Sequence, residues 1–308
     1  MKWIKKGCIY CPDGTLWWTK HSVTTPTPVL INPTTIRVYA GFRDHLGVSR
    51  IGFVDIDARN PGVVKRVSQR PALDVGKPGA FDDNGMILGD VVKKGSAYYM
   101  YYVGFQIPSK VKFLAFSGLA VSHDHGETFQ RVSDVPILDR TPQEYHIRAI
   151  HSVIHQKNIW KAWYGTGSSW EIIDDKPYPR YSIKYVQSPD GKRFPQRGTG
   201  CIPLSRRGEY RIGRPRVCRE SGRYLMFYTR GFRDHRQLPG YAVSRDGIRW
   251  TRRDRNIGIT ISAGGWDSHM LCYPTIFRYR RTTYMFYNGN GMGKTGFGYA
   301  ILAPGAPL

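Results

Sequence analysis

The stretch Val-Ser-His-Asp-His-Gly-Glu-Thr-Phe, running from Val121 to Phe129, decides the fold, because it returns twice further along the chain. The second copy is Gln-Ser-Pro-Asp-Gly-Lys-Arg-Phe, from Gln187 to Phe194, and the third is Val-Ser-Arg-Asp-Gly-Ile-Arg-Trp, from Val243 to Trp250. Asp124, Asp190 and Asp246 lie 66 and 56 residues apart. Self-similarity at such a period marks an array of one supersecondary unit. Each copy reads as a strand end, a tight turn and an aromatic. Asp bonds to nearby backbone, and Gly supplies the positive φ that a tight hairpin requires.

The rest of the unit assembles around that phrase. Upstream of each turn runs a strand rich in aromatics: Tyr98 to Val103, Trp160 to Tyr164, Tyr224 to Tyr228. Two further copies keep the strands without the turn phrase. One passes from Pro28 through Ile36 to Tyr39 and Ile51 to Val54, ending near Leu73; the other passes from Pro274 through Tyr284 to Tyr287 and on to Ala300. The pattern predicts an all-β chain of five units, each about four strands, which is the organisation of a five-bladed propeller. The units fall at 20–75, 76–140, 141–205, 206–260 and 261–303. The fifth unit stops one strand short, and Lys2 to Tyr10 resembles the missing strand. An N-terminal strand closing the last blade would remove an open sheet edge and tie down both termini.

Composition narrows the class. No run of 18 apolar residues exists to span a bilayer, and the start, Met1-Lys2-Trp3-Ile4-Lys5-Lys6, lacks the apolar region of a signal peptide. The five cysteines include one Cys-x-x-Cys pair, Cys8 and Cys11, with no second pair to complete a zinc site. Reduced cysteines and a cytoplasmic setting are the expectation. No metal or cofactor is expected; His123 and His125 fall on a blade turn. Lys plus Arg number 46 against 23 acidic residues, a net charge of +23. Such a field favours anionic partners. The basic residues are spread through every unit and no nucleic-acid motif is present, so an anionic glycan, a nucleotide sugar or lipid-phosphate sugar donor, or a membrane surface fits better than nucleic acid.

In a propeller the first strand of each blade lines a central channel, and ligands bind at its mouth. The residues before or within those strands are therefore the functional candidates. They are His21 in unit one; Asp82 and Asp83 in unit two; Glu144, Arg148 and His151 in unit three; Arg211 and Arg214 in unit four; and Trp266, Asp267 and His269 in unit five. Arg43 and Asp44, after the second strand of unit one, join them. Charged residues at one relative place in five units are not what a packed β core would use. Trp17, Trp18, Trp170 and Trp266 can stack on sugar rings or pack between blades.

The blade pattern with Ser-x-Asp-Gly-x-x-Trp resembles the five-bladed propeller glycosidases of the arabinanase, xylosidase, invertase and levansucrase type. It is most similar to a subgroup associated with bacterial polysaccharide loci. The resemblance runs from Trp3 to Leu302. It is carried by Arg43-Asp44, Gly79 to Gly85, Arg214-Pro215, Trp266-Asp267-Ser268 and the block from Met285 to Ala300. It implies a carbohydrate-active protein, with carboxylates of the inner strands as nucleophile or base and as acid. The chain departs from that pattern. Unit one holds Lys20-His21-Ser22 where those enzymes carry an Asp, unit three offers only Glu144 as an acid, and His269 stands where the subgroup has an acidic residue.

Two expectations follow. The first is an enzyme acting at a glycosidic bond of an anionic or phosphorylated sugar, as hydrolase, phosphorylase or glycosyltransferase. In it Asp82 or Asp83 is base or nucleophile and His269 or Asp267 is proton donor. His21, Arg43, Asp44, Arg148, His151, Arg211, Arg214 and Trp266 hold the substrate, with Arg giving bidentate recognition of phosphate or carboxylate. Asp82, Asp83, Arg214 and Asp267 are then expected to share one cavity. The second is a glycan-binding propeller that kept the fold and lost the acid.

Overall fold

The computed structural model describes residues 1–205 and 208–308. The predicted boundary between units three and four, at 205/206, falls beside Arg206 and Arg207, which lie outside the described residues.

Strand β1 is Trp3–Tyr10. Unit one follows as β2 (Ser22–Asn32), β3 (Thr35–Arg43), β4 (Ser49–Asp57) and β5 (Val64–Val67). Unit two is β6 (Met86–Lys94), β7 (Ala97–Gln106), β8 (Leu114–Ser122) and β9 (Gln130–Arg131). Unit three is β10 (Ile147–Gln156), β11 (Ile159–Ile173), β12 (Lys176–Ser188) and β13 (Thr199–Ile202). Unit four is β14 (Glu209–Glu220), β15 (Arg223–Phe232), β16 (Gln237–Ser244) and β17 (Thr251–Arg252). The last strands are β18 (Cys272–Tyr279), β19 (Thr282–Asn288) and β20 (Phe297–Leu302). Among the described residues helix is confined to single turns at Asp254–Asn256 and Asn290–Gly293.

Within each unit consecutive strands pair antiparallel. Units two and three are joined by a short parallel contact of β8 with β10, at Ala115 with Ile147 and Phe116 with Arg148. The chain's first strand pairs with its last: Trp3 lies opposite Leu302 and Tyr10 opposite Phe297, giving the order β1-β20-β19-β18. The first strands touch in sequence, β2 with β6, β6 with β10, β10 with β14 and β14 with β18, and β18 touches β2 again.

Face-to-face packing fills the spaces between units. Tyr39 and Phe53 of unit one pack with Met86, Met100 and Tyr102 of unit two. Tyr101 and Leu119 meet Ile150, Trp160 and Tyr164 of unit three. Trp163 and Ile183 meet Ile212 and Met226 of unit four. Leu225 and Phe227 meet Met285 and Tyr287. Val38 and Val54 of unit one meet Phe286 and Tyr299. Each fully buried side chain of this size stabilises the fold by about 1.5–3 kcal/mol relative to exposure.

The recurrent turn is what keys one unit to the next. Ser122, Ser188 and Ser244 each accept the amide of the turn glycine, Gly126, Gly191 or Gly247, at 2.9, 2.9 and 2.8 Å. Asp124, Asp190 and Asp246 accept the amides that follow. The same glycine carbonyls accept hydrogen bonds from the preceding unit: Tyr39 donates to Gly126 at 2.8 Å, Tyr101 to Gly191 at 2.9 Å, and the Trp163 indole to Gly247 at 2.7 Å. All three glycines have φ between +73° and +80°. A Cβ at Gly126 would sit 2.1 Å from the Tyr39 hydroxyl, and one at Gly191 would sit 2.7 Å from both Tyr101 and Trp160. Both the backbone angle and the close approach therefore require glycine.

Candidate functional site

The first strands share one irregularity, and it builds the site. Each slips register against its second strand at the same depth: between Thr24 and Thr27 in β2, Leu88 and Asp90 in β6, Ile150 and Ser152 in β10, Gly213 and Arg216 in β14, and Cys272 and Tyr273's far neighbour Thr275 in β18. A bulge bends the strand and re-aims a side chain. In three units the bulge is an X-Pro pair with X in the left-handed region: Thr25 (φ +60°), Arg214 (φ +54°) and Tyr273 (φ +57°). Such backbone costs about 1–3 kcal/mol per residue and persists where the surroundings fix it. Thr25, His151, Arg214 and Tyr273 all line one cavity of about 380 Å³ at the end of the units where the first strands begin.

Arg214 is the hub. It is 3% exposed, and its guanidinium donates to the Leu88 carbonyl, to His151 Nδ1 at 3.0 Å, and to Thr25 O and Thr27 Oγ1 at 3.4 and 3.3 Å. It thereby ties β14 to β2, β6 and β10. Burial, then the neighbouring Arg216, pull its pKa down to about 9. Because a guanidinium only donates, His151 Nδ1 must accept, and the imidazole proton sits on Nε2. Burial, with Arg214 and Arg216 beside it, holds the His151 pKa well below the usual value, so the ring is neutral. Its Nε2 edge faces Gly165, where a Cβ would approach to 3.7 Å.

Around this hub the lining combines cations with aromatic and aliphatic surface. Arg43, Lys112, Arg211 and Arg214 line the cavity, and among the described residues no Asp or Glu does. Among the described residues none of the four forms an ion pair within 4.0 Å. Arg211 lies over the rings of Tyr210 and Tyr181, with ring centroids 4.9 and 5.5 Å away, and Lys112 over Tyr178 at 5.0 Å. Burial first, and then Arg211 and Arg43, lower the Lys112 pKa. The Nε atoms of Arg43 and Arg214 are buried without a hydrogen-bond partner. Elsewhere among the described residues buried arginines are paired: Arg37 with Asp55 at 2.7 Å, and Arg148 with Glu144 at 2.7 Å.

The structure divides the sequence candidates. Arg43, His151, Arg211 and Arg214 meet in the cavity; the expected sharing of one cavity by Asp82, Asp83, Arg214 and Asp267 is not found. Asp82 is fully buried and ion-paired with Arg131 at 2.8 Å. Asp83 accepts the Gly79 amide and the Asn84 side chain, closing the turn behind the cavity-lining Asn84. Asp267 is buried, paired with Lys5 at 2.7 Å and accepting the Tyr287 hydroxyl at 3.0 Å. Trp266 stacks on Tyr287 with ring centroids 5.0 Å apart. His269 is exposed, and only its amide is held, by Asn290. Asp44 caps its own loop through Leu46 and Val48 and pairs with Arg50.

Arg148 is also occupied. It pairs with Glu144 at 2.7 Å and donates to the carbonyls of Asp139 and Gln196. Glu144 is held further by Lys184 and Tyr164. His21 is exposed beside the cavity; burial, then Lys294 and Arg43, lower its pKa. Sequence reasoning missed Lys112, Tyr178, Tyr181 and Tyr273. Lys112 comes from the β7–β8 connection and Tyr178 and Tyr181 from the start of β12, neither of which carries a recurrent phrase. Tyr273 was signalled by its X-Pro pair, which matches Thr25-Pro26 and Arg214-Pro215.

Comparison with known proteins places this architecture. The chain is 32% identical over 303 residues to the protein named Uncharacterized protein Rv1502 of Mycobacterium tuberculosis strain H37Rv, covering 98% of this chain and 99% of that one. The chain belongs to that protein's family. A counterpart from strain CDC 1551, Uncharacterized protein MT1551, matches at the same identity and coverage. No family model matches. Among solved structures, one described as a glycoside hydrolase superposes with a TM-score of 0.75 at 17% identity, over 97% of this chain and 90% of that one. A thermostable family-43 glycoside hydrolase gives 0.68 at 14%, over 95% and 92%. An exo-1,5-α-L-arabinanase from a bovine ruminal metagenomic library gives 0.62 at 14%, over 94% of each. The fold is that of the propeller-type glycosidases.

Proposed function

We propose that this chain is a carbohydrate-active protein whose central cavity takes a sugar bearing phosphate or carboxylate, and that it acts at that sugar's glycosidic bond. In this reading the five four-stranded runs are the blades of one propeller, closed by β1, and the cavity is its channel mouth. The observation that carries it is the lining: four cations, Arg43, Lys112, Arg211 and Arg214, without a carboxylate partner among the described residues. Desolvating unpaired cations is costly, and a bound anion offsets that cost. A neutral sugar does not.

The same lining bears on the reaction. A two-carboxylate hydrolysis needs an acid and a base facing the bond. Here, among the described residues, no carboxylate lines the cavity, and the His151 lone pair is taken by Arg214. Phosphorolysis fits these residues best, because phosphate brings its own nucleophile and proton. A phosphate oxygen would bond to the anomeric carbon, the glycosidic C–O bond would break, and the leaving oxygen would take the phosphate proton. Arg211, Arg43 and Lys112 would hold the phosphate, and His151 Nε2–H would donate to substrate oxygen. Hydrolysis, and transfer from a phosphate-linked donor in the cytoplasm, draw on the same anion site. A second reading, glycan binding without turnover, is favoured by the absence of Asp and Glu from the lining.

Calorimetric titration with inorganic phosphate, sugar phosphates, acidic oligosaccharides and neutral oligosaccharides tests the anion site. Assay for sugar 1-phosphate release tests turnover. Tight, salt-indifferent binding of a neutral oligosaccharide alone would remove the anion reading. Binding of anions with no product from any donor would leave the binding propeller.

A further inference from the structure

The rim of the cavity carries a second pattern. Leu46, Ile107 and Ile172 are 75, 66 and 66% exposed. Leu46 and Ile107 lie in the connections between second and third strands of units one and two, and Ile172 lies near the end of β11, at the tip of the β11–β12 hairpin of unit three. These segments border the cavity: Gly47 beside Leu46 lines it, Ile107 lines it directly, and Tyr178, opposite Glu171 in the β11–β12 ladder, lines it next to Ile172. Lys110 and Lys112 stand on the connection of unit two and Lys176 opens β12 after the exposed Asp174 and Asp175; among the described residues none of the three lysines forms an ion pair. Inside the mouth, Phe105, Phe113, Ile87 and Ile147 form a largely apolar wall beside the cations.

We propose that the cavity-bearing face docks on an anionic lipid bilayer and takes the headgroup of an anionic glycolipid into the cavity. This rests on the reading of the cavity as an anion site, and it specifies the substrate as lipid-linked. Aliphatic side chains raised on loop tips around a mouth gain nothing in water and mark an interaction surface. With Lys110 and Lys112 beside Ile107 and Lys176 beside Ile172, they match an interface whose outer layer is phosphate and whose inner layer is acyl chain. Lysine stems follow the apolar layer while their ammonium groups stay with the phosphates. A free sugar gains little from the wall of Phe105, Phe113 and Ile147, whereas the first carbons of a lipid chain are covered by it as the headgroup reaches Arg211 and Arg43. No helix is long and apolar enough to cross a membrane; the contact proposed is peripheral.

The test is co-sedimentation with vesicles of phosphatidylcholine alone and of phosphatidylcholine mixed with phosphatidylglycerol. It uses the intact chain and the double variant Leu46→Asp with Ile172→Asp, neither of which lines the cavity. Inorganic phosphate affinity is measured in parallel on both proteins. The expected result is sedimentation with the anionic vesicles only, a fall of ten-fold or more in the variant, and an unchanged phosphate affinity. Failure to sediment, or equal sedimentation of the variant, overturns the docking; phosphate binding would then leave the proposed function standing. Docking that depends on the tips, with no phosphate binding by either protein, would uphold the docking face and remove the anion site.

Discussion

Arg214 Nη1 lies 3.0 Å from His151 Nδ1, and this one contact sets the chemistry of the cavity. It joins β14 to β10, fixes which imidazole nitrogen carries the proton, and places a fixed positive charge against a ring that must stay neutral. A carboxylate at either position would reverse the logic.

The first prediction concerns pH. His151 is held well below its usual pKa, whereas in the unfolded chain it titrates near ~6.5. Above that pH neither state carries the proton and the residue contributes no slope. Below it the unfolded chain takes up a proton that the folded imidazole refuses. Stability therefore falls as pH falls, by about 1.4 kcal/mol per pH unit until the folded pKa is reached. Urea unfolding between pH 7.5 and pH 5 should show a shallower loss for His151→Gln than for the parent. Parallel profiles would mean that the ring is not held neutral.

The second prediction separates two arginines that look alike in sequence. Arg211 lines the cavity without an ion pair; Arg148 is bound to Glu144 and to backbone carbonyls. Arg211→Ala should weaken phosphate or sugar-phosphate binding by the worth of a charged hydrogen bond, about 1.5–3 kcal/mol, with little change in unfolding midpoint. Arg148→Ala should do the opposite. It removes one partner of a buried pair, which costs about 3–5 kcal/mol, at the lower end because Lys184 still reaches Glu144. Calorimetry and urea titration of both variants check the contrast.

The two neighbouring aspartates of unit two should differ in the same way. Asp82→Asn strips the buried partner of Arg131 and should lower stability by a few kcal/mol, within the ~3–5 kcal/mol seen when a buried pair is broken. Asp83→Asn keeps an acceptor for the Gly79 amide and should change the midpoint by less than about 1 kcal/mol. Loss of all turnover in Asp83→Asn at unchanged substrate affinity would restore the carboxylate to the chemistry.

What the sequence discloses and what it hides follow from where the determinants lie. Ser122-x-Asp124, Ser188-x-Asp190 and Ser244-x-Asp246 are local motifs: every bond that shapes the turn is made within four residues. Their recurrence made the repeat legible, and with it the pairing of β1 to β20. The cavity cations Arg43, Arg211 and Arg214, and His151, were legible because they occupy first-strand positions or the ends of their partners. The acidic candidates were misplaced because a charge shows nothing of its partner in sequence. Asp82 is answered by Arg131 from the fourth strand of its unit, and Asp267 by Lys5 from the far end of the chain. Lys112 escaped notice because the connection that carries it has no fixed length from unit to unit, and Tyr178 because it lies in the part of the β11–β12 hairpin that outruns the strands of the other units.

The last prediction uses that long-range pair. Lys5 of β1 meets Asp267 at 2.7 Å, and the Tyr287 hydroxyl donates to the same carboxylate. The two partners are buried unequally: the side chain of Asp267 is 2% exposed, that of Lys5 27%. Removing the lysine strands a buried carboxylate with one hydrogen bond. Removing the carboxylate charge frees an ammonium that can turn to water. Lys5→Met should therefore destabilise more than Asp267→Asn, with the first approaching the ~3–5 kcal/mol cost of a broken buried pair and the second nearer ~1 kcal/mol. The double variant should recover part of the loss, since the uncompensated charge is gone. Urea midpoints for the three proteins give the coupling directly. If Asp267 were instead a catalytic group, Asp267→Asn would abolish turnover with the midpoint unmoved, and Lys5→Met would cost no more than an exposed lysine does.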